Sequence, residues 1–263
     1  MLPAVHLRSA VALAGRFPAL SGVDLTVLPG EVVVVLGPNG AGKTSLLRAC
    51  AGLLPVTSGE AVVLGHDLSD DRAAVRRQVG LLGHAAPLYD ELTAAENVRF
   101  AVRAAGVSPS RVGPALDRLG LSGRLARTPT DRLSAGQRRR TALAILVARD
   151  PQLWLLDEPH AGLDALARRL LDELIGEAAA RGCAVLLSSH EPALAVPLAD
   201  RTVSLVGGRV AAEGPGGRRA PLGQVVPGPA PDPAAMAVVG GADAADAADA
   251  ADAADGEECA DVA

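Results

Sequence analysis

The segment Gly37-Pro38-Asn39-Gly40-Ala41-Gly42-Lys43-Thr44 fits G-x-x-x-x-G-K-[ST], a pattern built to hold phosphate. Its glycines let backbone N–H groups approach phosphate oxygens, and a helix starting at the lysine adds positive potential. Lys43 then contacts the β- and γ-phosphates of a nucleotide, Thr44 holds Mg²⁺, and Ser45 extends the same cradle. Lys43 is also the only lysine in a chain with 24 arginines. A compact ammonium on a thin stem does what the rigid guanidinium fork does not, and that difference marks the position.

Three further groups of residues bear on phosphate chemistry. Leu153-Trp154-Leu155-Leu156 is an apolar run ending in Asp157-Glu158. A strand of this kind sets Asp157 beside the metal, and Glu158 can orient or deprotonate an attacking water. Leu133-Ser134-Ala135-Gly136-Gln137 puts a hydroxyl and a glycine N–H at a helix start, which makes a second anion site. Ser188-Ser189-His190 closes another apolar run with an imidazole.

The elements that must position these groups can be read from periodicity. Val32 to Leu36 is a short β-branched run and reads as a buried parallel strand; Lys43 to Cys50 reads as the helix after the loop. Val23 to Leu28 and Glu60 to Leu64 read as strands of a small antiparallel layer. Thr93-Ala94-Ala95-Glu96 is a capping box opening a helix through Val98, Phe100 and Val102. Ser108-Pro109 opens another helix, which Gly120 ends. A third runs from Ala135-Gly136 to Asp150-Pro151. Beyond Asp157 come a helix over Ala165 to Arg181, a strand over Ala184 to Leu187, and a hairpin of Val203 to Val206 and Arg209 to Ala212. Strands alternating with helices give an α/β fold with a mostly parallel sheet.

Composition excludes several classes. No apolar run approaches the roughly 18 to 20 residues that span a bilayer, and the N-terminus does not read as a signal peptide. Three scattered cysteines, Cys50, Cys183 and Cys259, suit a reducing compartment and form neither a disulfide frame nor a zinc site. The net charge of −5 is carried by the end of the chain: residues 1–213 hold 23 basic and 21 acidic residues, a net of +2. No strongly basic stripe is present, so no nucleic-acid partner is expected. Residues 214–263 turn to Pro, Gly and Ala and then to an Ala-Ala-Asp repeat over Ala242 to Asp255. With no apolar face to bury, they read as a disordered tail, either a functional acidic segment or a solvated repeat.

Over residues 4–213 the motifs, taken in order, resemble the ATP-binding cassette (ABC) transporter ATPases. Leu133 to Gln137 resembles the family signature, Asp157-Glu158 its Walker B end, Ala161-Gly162-Leu163-Asp164 its D-loop, and His190 its switch histidine. The resemblance implies a P-loop NTPase (RecA-like) core over 1–85 and 150–213, with a mostly parallel sheet and a small antiparallel β layer. It also implies an inserted helical subdomain over 86–149. It implies ATP and Mg²⁺ as cofactors, a second ATPase subunit packed head to tail, and a membrane-spanning permease on whose cytoplasmic side the chain sits peripherally. Ser134, Gly136 and Gln137 of one subunit then complete the nucleotide site of the other, with Asp164 nearby. Glu158 and His190 act in hydrolysis. An aromatic some twenty positions before the P-loop stacks on adenine in this family; Phe17 is either that platform or a core phenylalanine.

One position departs from the family pattern. Where a glutamine usually reaches Mg²⁺ and water, this chain has His84, which is either a water- or metal-facing imidazole or a permissive loop residue. Gly83-His84, the stretch Glu91 to Phe100, Leu133 to Arg140 and Leu153 to Pro159 resemble the ATPase subunits of haem exporters of cytochrome c maturation (CcmA). That resemblance implies haem export through a separate permease, with no haem bound by the ATPase itself. Exporters of a drug, peptide or antibiotic, and non-transport cassettes such as those of iron–sulfur assembly, remain alternatives. Repair-type coiled-coil insertions and a second cassette are absent from the sequence, and the presence of Lys43, Asp157, Glu158 and His190 argues against a degenerate scaffold.

Overall fold

The computed structural model describes residues 2–83 and 87–218. In chain order the elements are β1 (Val5–Ala14), β2 (Phe17–Val27), β3 (Val32–Leu36), α1 (Lys43–Cys50), β4 (Val56–Val63), β5 (His66–Asp67), α2 (Arg72–Gln78) and β6 (Val79–Leu82). They continue with α3 (Ala94–Ala104), α4 (Val112–Arg118), α5 (Ala135–Arg149), β7 (Leu153–Asp157), α6 (Ala165–Ala180), β8 (Ala184–Ser189), α7 (Pro192–Ala195), β9 (Arg201–Val206) and β10 (Arg209–Pro215). Two sheets result. One is antiparallel in the order β2-β1-β4-β5; the other runs β10-β9-β3-β8-β7-β6, with every pair parallel except β9-β10. This is the α/β architecture expected from the sequence.

Period-two alternation divides the apolar residues of the central strands between two cores. Val33, Val35, Leu153, Leu155 and Leu186 face α1 and the antiparallel sheet, where they pack with Leu46, Leu47 and Cys50. Val32, Val34, Trp154, Leu156, Val185 and Leu187 face α3 to α6. The strands are buried on both faces, so their sequences are continuous apolar runs.

The helix starts follow local chemistry. Thr93 and Glu96 form the expected capping box, and Ser134 and Gln137 form a second one at α5. Val98 and Val102, one turn apart on α3, are buried, whereas Phe100 lies on the opposite side, half exposed, and meets Tyr89 edge to face at 5.1 Å. The helix opened by Ser108 begins as a 3-10 turn over Pro109–Arg111 before α4.

The chain end corrects one expectation. The boundary expected at 213 falls inside a strand: β10 continues through Gly214 and Pro215, paired with Thr202 and Arg201. Backbone bonds then tie Gly216 to Asp200, Gly217 to Val196 and Arg218 to Ala199. These residues close the edge of the sheet, so 214–218 are not part of a disordered tail. The tail expected beyond them lies outside the described residues.

Trp154 is the largest fully buried side chain among the described residues, and its indole N–H has no hydrogen-bond partner. Trp154→Ala should lower unfolding free energy by about 3–5 kcal/mol through lost burial and an unfilled cavity. Trp154→Phe should cost clearly less, since the unpaired donor goes with the ring. Urea titration followed by circular dichroism checks both values, and equal losses would contradict the packing assigned to this residue.

Candidate functional site

The parallel strands β3, β8 and β7 lie side by side with their C-terminal ends level: Leu36 pairs with Ser189, and Asp157 with Ser188. Ligands of open α/β sheets bind off such ends. After β3 the chain turns back over its own edge to enter α1 at Lys43. The turn needs glycine at Gly42, whose φ is +104° and whose absent Cβ would stand 2.6 Å from the carbonyl oxygen of Ala19. A cleft of about 300 Å³ opens above it, lined by Ala19, Asn39, Gly40, Ala41, Gly42, Lys43, Thr44, Ser45, Asp157 and Glu158.

Within the cleft the polar side chains converge. Lys43 is buried and its Nζ donates to the carbonyls of Gly37 (2.8 Å) and Pro38 (3.2 Å). Its third neighbour is Glu158 Oε1 at 3.7 Å. The Thr44 hydroxyl donates to Asp157, 2.9 Å from Oδ2 and 3.1 Å from Oδ1. Glu158 Oε2 accepts from the backbone N–H of His190 (3.2 Å) and lies 2.7 Å from its Nδ1. Glu158 has φ +46°, a left-handed value rare outside glycine. Non-glycine residues held there carry strain, and such strain gathers at functional sites.

Ser188 joins these groups, although the sequence assigned its own hydroxyl no role. Its hydroxyl donates to Asp157 Oδ1 at 2.6 Å and accepts from the Glu158 backbone N–H at 3.0 Å. It reaches them through the β7–β8 register, a pairing between residues far apart in the chain that local pattern does not reveal. Ala19 enters the cleft from β2 in the same non-local way.

The donor set fits a nucleotide with Mg²⁺. A hydroxyl and a carboxylate, both oxygen, suit a hard cation that keeps its remaining positions for water and phosphate. Among the described residues no group of three His, Cys, Asp or Glu side chains gathers into a protein-only metal cage. The backbone N–H groups at the start of α1 and the Lys43 ammonium supply the anion's partners.

Other expected residues lie elsewhere. Ser134, Gly136 and Gln137 are at the start of α5, outside the cleft; Ser134 is exposed and its Oγ accepts from the Gln137 N–H at 3.2 Å. Asp164, also exposed, caps α6 by accepting from the Ala167 N–H at 2.8 Å. Phe17 opens β2 and is 79% exposed, which removes the core alternative for it. His84 lies outside the described residues; the residue before it, Gly83, accepts a hydrogen bond from the buried Arg139 on α5, whose guanidinium burial makes less basic. Burial pushes the thiols of Cys50 and Cys183 up to about 12, so neither offers a reactive thiolate.

The comparisons with known proteins agree with this geometry. The family model described as ABC transporter matches residues 20–161. The cytochrome c biogenesis ATP-binding export protein CcmA of Bordetella bronchiseptica is 43% identical over 188 residues, covering 70% of this chain and 83% of that protein. The human phospholipid-transporting ATPase ABCA7 is 38% identical over 217 residues, but the chain spans only 10% of its length. Among solved structures, a dimeric post-hydrolysis state of an ATP-binding cassette bound to ADP and Pi superposes with a TM-score of 0.73 at 27% identity. It covers 82% of this chain and all of that one. With the cleft, the fold and these likenesses in accord, the chain belongs to the ABC transporter family as one of its ATP-binding, ATP-hydrolysing cassettes, and its resemblance to CcmA is supported.

Proposed function

We propose that this cassette works as a head-to-tail pair on a separate membrane permease and powers haem export for cytochrome c assembly. The observation that carries the ATPase part is the meeting of Lys43, Thr44, Asp157, Glu158 and His190 around one cleft at the strand ends. Residues Gly37 to Ser45 cradle the phosphates of ATP. Thr44 and Asp157 hold Mg²⁺, which when bound draws charge from the phosphate oxygens. Glu158 takes a proton from, or orients, the attacking water, and His190 holds the Glu158 carboxylate in place and senses the γ-phosphate. Lys43, freed from its loop carbonyls, pairs with that phosphate.

The helical subdomain that holds α3 to α5 presents Ser134, Gly136 and Gln137 to the partner cassette, and Asp164 contributes to that join. Phe17, exposed at the start of β2, stacks on adenine. His84 supplies a nitrogen toward water or metal. Among the described residues no helix is long and apolar enough to cross a membrane, in keeping with a peripheral seat on the cytoplasmic face. Haem as cargo rests on the likeness to CcmA over most of that protein's length.

Glu158→Gln should lower ATP turnover by about 10²-fold or more and accumulate an ATP-bound dimer, seen by size-exclusion chromatography. Normal turnover would refute the general-base role. His84→Ala should lower turnover well below the parent while nucleotide affinity, measured by calorimetry, changes little; unchanged turnover makes His84 a loop residue. In cells, replacing the chromosomal copy with Lys43→Ala should abolish covalently attached haem in c-type cytochromes. Normal cytochrome levels alongside lost ATPase activity would exclude haem export.

A further inference from the structure

We propose that His160, held by Asp172, is a positioning residue that fixes the turn after β7 onto α6 and thereby sets the Glu158 carboxylate. The inference rests on the general-base reading of Glu158 given above. His160 is buried (4% exposed), the only histidine among the buried polar side chains of the described residues. Its Nε2 lies 2.8 Å from Asp172 Oδ1, on the second turn of α6. The bond sets the tautomer, with the Nε2 proton toward Asp172, and leaves Nδ1 buried with no partner. An unpaired buried polar atom is destabilising, a cost that an apolar side chain at this position would avoid. Packing alone therefore gives no reason for an imidazole here; the single bond to α6 does.

That bond is placed to act on Glu158. The strained φ of Glu158 persists only if its surroundings over-determine it. From the sheet side, Ser188 holds its backbone N–H and His190 its carboxylate. From the other side, the Glu158 carbonyl accepts from the Ala161 N–H (3.1 Å), and the His160 carbonyl accepts from the Leu163 N–H (3.2 Å). Two successive turns thus run from Glu158 to Leu163, which is buried in the helical core with Leu171 of α6. His160 stands at the joint of the two turns, and its side chain is the polar tie to α6. Without it, the Glu158 turn would be tethered to the helix by the apolar contact of Leu163 and by the Asp164 cap.

The test compares Asp172→Leu, Asp172→Asn and His160→Phe in the full chain, each also with Glu158→Gln. Asp172 is 37% exposed at its side chain, so its variants should fold. Asn keeps an Oδ1 acceptor for the imidazole; Leu does not. Asp172→Leu and His160→Phe should lower kcat about tenfold, since small misplacements of a reacting group are costly, while KM for ATP shifts less than about twofold. Asp172→Asn should stay near the parent. In the Glu158→Gln background, Asp172→Leu should cause no further loss. Parental turnover in Asp172→Leu overturns the proposal, as does an Asn variant as slow as the Leu variant or a KM that rises in step. If His160→Phe does not fold, the Asp172 pair decides the question by itself. If Glu158→Gln itself turns over normally, the general-base reading fails and the positioning role falls with it. A failure confined to the Asp172 and His160 variants leaves that reading standing.

Discussion

The Asp157 carboxylate is the interaction on which the site is built. It is 6% exposed, and burying a charge without partners is costly. Two hydroxyls meet the need: Thr44 from the helix after the P-loop, and Ser188 from the neighbouring strand. Asp157 thus ties three segments that are distant in sequence. Hydrogen bonds to a charged acceptor are each worth about 1.5–3 kcal/mol, so the tie is strong enough to hold the P-loop in register with β7. Thr44 and Asp157 also line the cleft, so the structural tie and the oxygens open to a cation share that one pair of side chains.

The register that delivers Ser188 is in turn a property of the cores. Because β3, β7 and β8 are buried on both faces, a one-residue slip of any strand would exchange Val33 for Val34, or Leu155 for Trp154, between two differently shaped cores. The core under α1 takes Val33, Val35 and Leu155, and the helical side takes the indole of Trp154. Packing far from the cleft therefore fixes which residues stand at the strand ends. Only then do Leu36, Asp157 and Ser189 arrive level, with the P-loop above them.

Much of this was legible in the sequence where the signal is local. The run Val32 to Leu36, the helix Lys43 to Cys50 and the capping box Thr93–Glu96 are each written within a few residues, and each stands where expected. Elements that depend on distant partners were not legible in the same way. β1 carries a kink at Ser9, whose φ is +48°, and its register with β2 shifts on both sides of Ala10, so no clean alternation marks it. The short helices α2 and α7 have too few residues to show a period. The boundary expected at 213 missed the Gly214-Pro215 end of β10, because glycine and proline read as loop until a neighbouring strand pairs with them. Site residues followed the same rule: Lys43 and Asp157 announce themselves by motif, whereas Ser188 and His160 take their places from tertiary contacts alone.

The exposed residues distribute their hydrogen bonds differently. Ser134 and Asp164 are each the N-cap of a helix, and both commit side-chain oxygen to the backbone of the first turn. A carboxylate used this way remains only an acceptor, but a serine keeps its hydroxyl proton, so after capping α5 it still has a donor to offer. Gly136, in the same first turn, has no atoms near its missing Cβ, and the backbone there stays open to approach. A donor hydroxyl and open N–H groups at a helix start are complementary to an anion. The cleft around Lys43, with Asp157 and Glu158 already on one wall, presents acceptors as well as donors. The two helix starts thus differ: α5 leaves donors exposed, whereas α1 opens onto a cleft that sets donors beside the Asp157 and Glu158 carboxylates.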